Sequence, residues 1–112
     1  QLIGWHSDTE DTANFFEFLT FTKNAETGMG QYNCAGYANA EADKMVMDAN
    51  AETDPAKRAA MLQKVEAMLI DDAAYVPLHW ENLAYGAKKN ADIKPIVNVM
   101  NFPYFGDLVV GK

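Results

Sequence analysis

Residue types that build catalytic and metal centres are scarce in this chain of 112 residues. It has one cysteine, Cys34, and two histidines, His6 and His79. A single thiol excludes an internal disulfide and cannot build a structural zinc site. Neither histidine has a second histidine or a cysteine at ligand spacing, and no phosphate-binding loop, Gly-x-Ser-x-Gly elbow or His-Glu-x-x-His motif is present. The sequence therefore predicts no metal, no cofactor, no catalytic residue and no enzyme.

Basic residues and long apolar runs are also few. Nine Lys and Arg face sixteen Asp and Glu, a net charge of −7. A phosphate backbone is bound by clustered Lys and Arg, so nucleic acid is not an expected partner. No apolar run approaches the length of a membrane span, and no signal peptide is visible in this fragment. Because 49% of the residues are hydrophobic, the chain can still bury one core.

Three helices are predicted, near residues 12–20, 40–50 and 55–70. The expected N-caps are Thr12, Asn39 and Asp54, the last followed by Pro55 at the first helical position. In the first helix Phe15, Phe18 and Leu19 share one face. Apolar residues recur at helical spacing at positions 42, 45, 46 and 49, and at 61, 62, 65, 68 and 69. We expect these two stripes to be buried.

The composition and charge of the chain change after residue 72. Residues 1–72 carry thirteen acids and five bases, whereas residues 73–112 carry three acids and four bases. Short strands are predicted over 2–5, 75–80, 82–87, 96–100 and 108–110. The predicted fold is therefore a single α/β fragment, with a helical portion over 1–72 and a strand-rich return segment over 73–112.

Two loops have the composition of functional segments. Residues 22–38 form a long loop that carries three glycines, and long loops are often functional or mobile. Residues 101–106 form an aromatic loop, which is typical either of a partner or ligand surface or of packing onto another domain.

The opening segment from Gly4 to Asp8 places Trp5 and a carboxylate three residues apart. In an extended segment such residues point to opposite faces, so Trp5 and Asp8 reach one cavity only if the backbone turns between them. A carboxylate beside an indole suits a ligand with an ammonium group, through charge pairing and a cation–π contact. The alternative is an exposed loop Asp beside a core Trp. The residues alone leave both interpretations open.

Four motifs stand in a characteristic order along nearly the whole chain. They are Gly4-Trp5-His6-Ser7-Asp8 with Asn14-Phe15-Phe16, then Tyr37-Ala38-Asn39-Ala40-Glu41-Ala42-Asp43, then Asp54-Pro55-Ala56-Lys57-Arg58, and finally Asp71-Asp72-Ala73-Ala74-Tyr75-Val76-Pro77-Leu78. In this order the chain resembles the C-terminal part of the extracytoplasmic solute-binding proteins of ABC importers, in the peptide/nickel-binding family.

The resemblance implies a type II periplasmic-binding-protein fold, in which two α/β lobes close on a solute. It also implies a periplasmic or other extracytoplasmic location. The expected partners are a peptide or small-molecule ligand, the missing lobe of the same protein, and the membrane permease that receives the ligand. In peptide-binding members the Asp of the Trp-x-x-Asp segment pairs with the α-amino group of the ligand. The resemblance assigns this role to Asp8 and a pocket wall to Trp5.

Some positions depart from the family pattern, and other functions stay open. A common Asp-Pro appears as Asp11-Thr12, Asn-Pro-Glu appears as Asn39-Ala40-Glu41, and Thr9 replaces a frequent Tyr. The ligand could therefore be a nickel chelate or an oligosaccharide in place of a peptide. A protein-interaction module that uses the 101–106 loop is a second class. A hydrolase with Asp8 and either Asp11 or Glu10 as paired carboxylates is a third, although no nucleophile is evident.

Overall fold

The computed structural model describes residues 2–82, 84–98 and 102–111. Helix α1 spans Thr12–Phe15 and continues as a π-helical turn over Phe16–Thr20. Helix α2 spans Ala40–Ala51 and α3 spans Pro55–Asp71. Short 3-10 turns lie at Lys94–Ile96 and Phe105–Asp107. The three predicted helices are confirmed. In the described part of the chain, no helix is both long and apolar enough to cross a bilayer.

Side-chain caps begin the helices. The Asn39 side chain accepts from two backbone N–H groups at the start of α2, and Asp54 does the same at the start of α3, as predicted. The predicted Thr12 cap is wrong, because Asp11 caps α1. Its backbone is extended and its carboxylate accepts from the Ala13 N–H at 2.9 Å. Thr12 already has helical backbone and so belongs to the first turn.

The core lies where α2 and α3 pack against each other. Ala49, Val65 and Leu69 are completely buried, and Val46 and Leu62 are nearly so. Both predicted stripes are confirmed as core faces, with their methionines half-buried at the margin. Burying a Val or Leu side chain contributes about 1.5–3 kcal/mol relative to leaving it exposed.

The first helix packs differently from its prediction. Phe16, with 1% of its surface exposed, is the residue that enters the core, whereas Phe15, Phe18 and Leu19 are only partly buried. Phe16 shares this buried side of the helix with Ala13 and Thr20, and the Thr20 hydroxyl donates to the Phe16 carbonyl at 3.2 Å. Ala13, Phe16 and Thr20 lie three and four residues apart, so the buried face has helical spacing but is not the face that was predicted.

The predicted strands are not confirmed. In the described residues of 2–5, 75–80, 82–87, 96–100 and 108–110 the backbone forms no ladder, and only isolated bridges join Ala91 to Val110 and Val97 to Pro103. Leu83, Val99 and Met100 lie outside the described residues. A strand requires a neighbour along its whole length for its backbone hydrogen bonds, and no described segment supplies one. The division at residue 72 stays a prediction.

The 22–38 loop is tied to the helices by backbone hydrogen bonds. The N–H groups of Gly30 and Tyr32 donate to the carbonyls of Glu17 and Phe18 at 2.7 and 3.0 Å. The buried Asn33 amide donates to the carbonyls of Phe21 and Tyr37. This loop therefore has a defined path that ends at the start of α2.

A polar contact joins the end of this loop to the end of α3. The Tyr37 hydroxyl donates to Asp72 Oδ2 at 2.6 Å, and the Asn39 amide donates to the same oxygen at 2.8 Å. Hydrogen bonds from Tyr37 and Asn39 hold the pKa of Asp72 below its usual range. Burial, with the hydrogen bond to Asp72, raises the pKa of Tyr37 to about 12.

We expect the contact between Tyr37 and Asp72 to make the stability of the protein fall as the pH rises through the alkaline range. The pKa of Tyr37 is raised from 10.0 to about 12 on folding. Its contribution is therefore complete below pH 10 and is lost as the pH rises toward 12. The Tyr37→Phe variant should melt at a lower temperature than the unsubstituted protein at pH 8, and the gap should narrow between pH 10 and 12. A gap that stays constant over this range would contradict the assignment.

Candidate functional site

The segment before α1 turns sharply at Ser7. The Ser7 hydroxyl accepts from the backbone N–H groups of Thr9 and Asp11 and donates to the Asp11 carbonyl, at 3.0–3.3 Å. Glu10 takes a left-handed backbone conformation with a φ of 55°, which is uncommon for a residue other than glycine. The chain therefore turns over residues 7–11, and Asp8 lies within this turn.

Trp5 is held in place by polar and aromatic contacts. Its indole N–H donates to Asn14 Oδ1 at 3.1 Å. Its ring lies 5.6 Å from that of Phe18 and 5.8 Å from that of Tyr32, and those two rings are 6.0 Å apart. Aromatic pairs at such distances are favourable beyond their buried area. Trp5 thus joins the opening segment to α1 and to the 22–38 loop.

A large open cavity of about 1670 Å³ lies beside Trp5. The opening segment and the first helix line one part of it, and residues 74–81 line another. Its aromatic lining residues are Trp5, Phe15, Phe16, Tyr32, Tyr75 and Trp80. Its acidic ones are Glu10, Asp11, Glu66 and Glu81, and no Lys or Arg is among the described residues that line it. The cavity is apolar with an acidic margin, which suits a ligand that carries a cationic group.

The structure places the two predicted site residues differently. Trp5 lines the cavity, whereas Asp8 does not, although its neighbours Ser7 and Glu10 do. Asp8 is exposed, and it takes part in no ion pair within residues 2–82, 84–98 and 102–111. Asp8 therefore stands on the turn at the edge of the cavity.

Asp11 and Arg58 form a contact that the sequence did not predict. Arg58 Nη2 lies 2.8 Å from Asp11 Oδ2, and the two side chains are 26% and 34% exposed. Burial favours a higher pKa for Asp11, but hydrogen bonds from Arg58 and the Ala13 N–H, with the Arg58 charge, bring it below its ordinary value. The sequence carried no signal for this pair, because its members lie 47 residues apart.

Three further features of the sequence have these positions in the structure. Cys34 is exposed and also lines the cavity. The described residues contain no group of three or more His, Cys, Asp or Glu that could hold a metal ion. In the aromatic loop, Phe102, Tyr104 and Phe105 are largely exposed, while Asn101 lies outside the described residues.

Three curated proteins are similar to this chain. The oligopeptide-binding protein OppA of Bacillus subtilis is 35% identical over 78 residues, covering 70% of this chain and 13% of OppA. The probable D,D-dipeptide-binding periplasmic protein DdpA of Escherichia coli is 32% identical over 87 residues, covering 78% of this chain and 16% of DdpA. The dipeptide-binding protein DppE of Bacillus subtilis is 29% identical over 79 residues, covering 70% of this chain and 14% of DppE.

The chain thus spans less than a fifth of the length of these relatives. No family model and no solved structure matches it. All three relatives are named as peptide-binding proteins and none as an enzyme. The resemblance to the peptide-binding family of ABC-importer solute-binding proteins, predicted from the sequence, is therefore confirmed over 70–78% of the chain.

Proposed function

We propose that these 112 residues form part of the solute-binding component of an ABC importer, which binds peptides outside the cytoplasm and delivers them to a membrane permease. The cavity beside Trp5 carries this proposal. Its aromatic lining suits the apolar parts of a peptide, and its acidic margin, without Lys or Arg among the described lining residues, suits an α-ammonium group. The names of the three relatives support the same ligand class.

The proposal includes a two-lobed type II fold, of which this chain supplies one portion. Val76, Leu78 and Trp80 occupy alternate positions of the 75–80 segment and are 75%, 68% and 97% exposed. Such alternation is typical of a strand with one face on a core. We propose that this segment pairs with a strand from the remainder of the complete protein.

Asp8 is the proposed partner of the peptide ammonium, and Trp5 the proposed wall beside it. Of the two aspartates in this turn, Asp11 already pairs with Arg58 and caps α1. In the described structure Asp8 forms no ion pair and caps no helix. It lies between Ser7 and Glu10, which both line the cavity. In a closed, dry site a ligand without the ammonium would leave this carboxylate buried and unpaired, which makes the contact selective.

We expect the 112-residue chain to bind peptide much more weakly than the complete protein. Binding sites bury most of a ligand's surface, and two closing lobes share that contact. Isothermal titration with tri-alanine, whose small side chains leave recognition to the termini and backbone, should give an affinity at least about 100-fold lower for the chain alone.

Two controls accompany this comparison. Circular dichroism of the 112-residue chain must show that its helices are formed, so that weak binding reflects the missing wall. Similar affinities for the folded chain and the complete protein would contradict the two-lobe proposal. Failure of the complete protein to bind tri-alanine would contradict recognition of a peptide through its termini and backbone.

A further inference from the structure

We propose that Arg58 is a positioning residue for peptide binding: through Asp11 and Ser7 it holds the turn that presents Asp8 to the ligand ammonium. The inference rests on the proposed function and deepens it. Arg58 does not line the cavity beside Trp5, so the effect is transmitted through the turn and needs no direct contact with the ligand.

The first link joins α3 to the start of α1. Arg58 lies in the first turn of α3, which the core anchors through the buried Leu62 and Val65. Its guanidinium reaches Asp11 Oδ2 at 2.8 Å, while Asp11 Oδ1 accepts from the Ala13 N–H at 2.9 Å. Because each carboxylate oxygen has its own partner, the Asp11 side chain is fixed between two helices.

The second link joins Asp11 to the turn that carries Asp8. The Ser7 hydroxyl accepts from the Asp11 N–H at 3.0 Å and donates to the Asp11 carbonyl at 3.0 Å. Ser7 and Asp11 thereby close a short loop over residues 7–11, which includes the left-handed Glu10. A residue in this conformation persists only where its surroundings hold it. Release of Asp11 would free the loop and move Asp8.

The test compares tri-alanine with its N-acetylated form on the complete protein. In Arg58→Gln we expect the affinity for tri-alanine to fall about 3- to 30-fold, the range for substitutions that act through a connecting network. N-acetylated tri-alanine has no ammonium to pair with Asp8, so its affinity should change less than about twofold. In an Asp8→Asn background, Arg58→Gln should cause no further loss.

The direction of the change in tri-alanine affinity distinguishes a positioning role of Arg58 from a purely electrostatic effect of its charge. Removing a positive charge near the site strengthens binding of a cation by Coulomb attraction alone. Lys57→Gln is the matched control, because Lys57 is the exposed neighbour of Arg58 and forms no salt bridge in the described structure. It should leave both affinities unchanged or raise that for tri-alanine slightly.

Each outcome decides the inference. An equal loss for both peptides in Arg58→Gln, or a gain for tri-alanine, would overturn it. If Asp8→Asn abolishes the preference for the free amine while Arg58→Gln preserves it, only the positioning role fails and the proposed function stands. If Asp8→Asn changes nothing, the proposed role of Asp8 fails first. Arg58→Met, which keeps the aliphatic stem, enters the same assay if Arg58→Gln does not fold.

Discussion

Asp8→Asn in the complete protein should weaken tri-alanine binding by about 2–5 kcal/mol, the cost of truncating one partner of a desolvated charge pair. Such a loss is roughly 30- to 5000-fold in Kd. The melting temperature of the unliganded protein should hardly change, because Asp8 is exposed and forms no ion pair within the described residues. Titration calorimetry and thermal unfolding measure the two effects separately.

Acetylation of the peptide tests the same contact from the ligand side. N-acetylated tri-alanine should lose comparable affinity for the unsubstituted protein, and the double change should cost less than the sum, because both changes remove one contact. Asp92→Asn is a matched control, since it removes the same charge from an exposed residue that does not line the cavity. Full additivity, or undiminished affinity in Asp8→Asn, would return Asp8 to an ordinary turn residue.

Gly30→Ala should destabilise the protein by about 2–5 kcal/mol, from the left-handed backbone and the overpacking together. Gly30 has a φ of +65°, and a Cβ there would lie 2.3 Å from the Phe21 carbonyl oxygen and 2.9 Å from Lys23 Cα. The Phe21 oxygen and Lys23 Cα are both backbone atoms, so neither can move aside by a side-chain rotation. The melting temperature should fall by at least about 10 °C.

Gly28 is the matched control for this prediction. It also has a left-handed backbone, with a φ of +77°, but nothing lies within 4 Å of its added Cβ. Gly28→Ala should therefore lower the stability by only about 1–2 kcal/mol, the cost of a left-handed backbone at a residue with a Cβ. Equal losses of melting temperature in the two variants would show that the contact with the Phe21 carbonyl is not what requires glycine at position 30.

Local signals made the helices predictable from the sequence. Asn39 and Asp54 cap through bonds to backbone groups two and three residues away, so the sequence contains both partners of each bond. The buried faces of α2 and α3 follow from helical periodicity, because residues three and four apart share a face. The order of the motifs indicated the family, which the similar proteins confirm, while the role of Trp5 as a wall of the ligand site stays a prediction.

The tertiary structure decided whatever depends on residues distant in sequence. The core that the first helix faces decides that Phe16 is buried in place of Phe15 or Phe18, because aromatic residues lie on more than one side of this helix. The predicted strands form no ladder in the described residues, and strand pairing is non-local. Arg58 meets Asp11 across 47 residues, and Tyr37 meets Asp72 across 35. Sequence spacing predicts helix caps and buried helix faces because both depend on residues close together in the chain. The Arg58–Asp11 and Tyr37–Asp72 contacts form only when the helices pack.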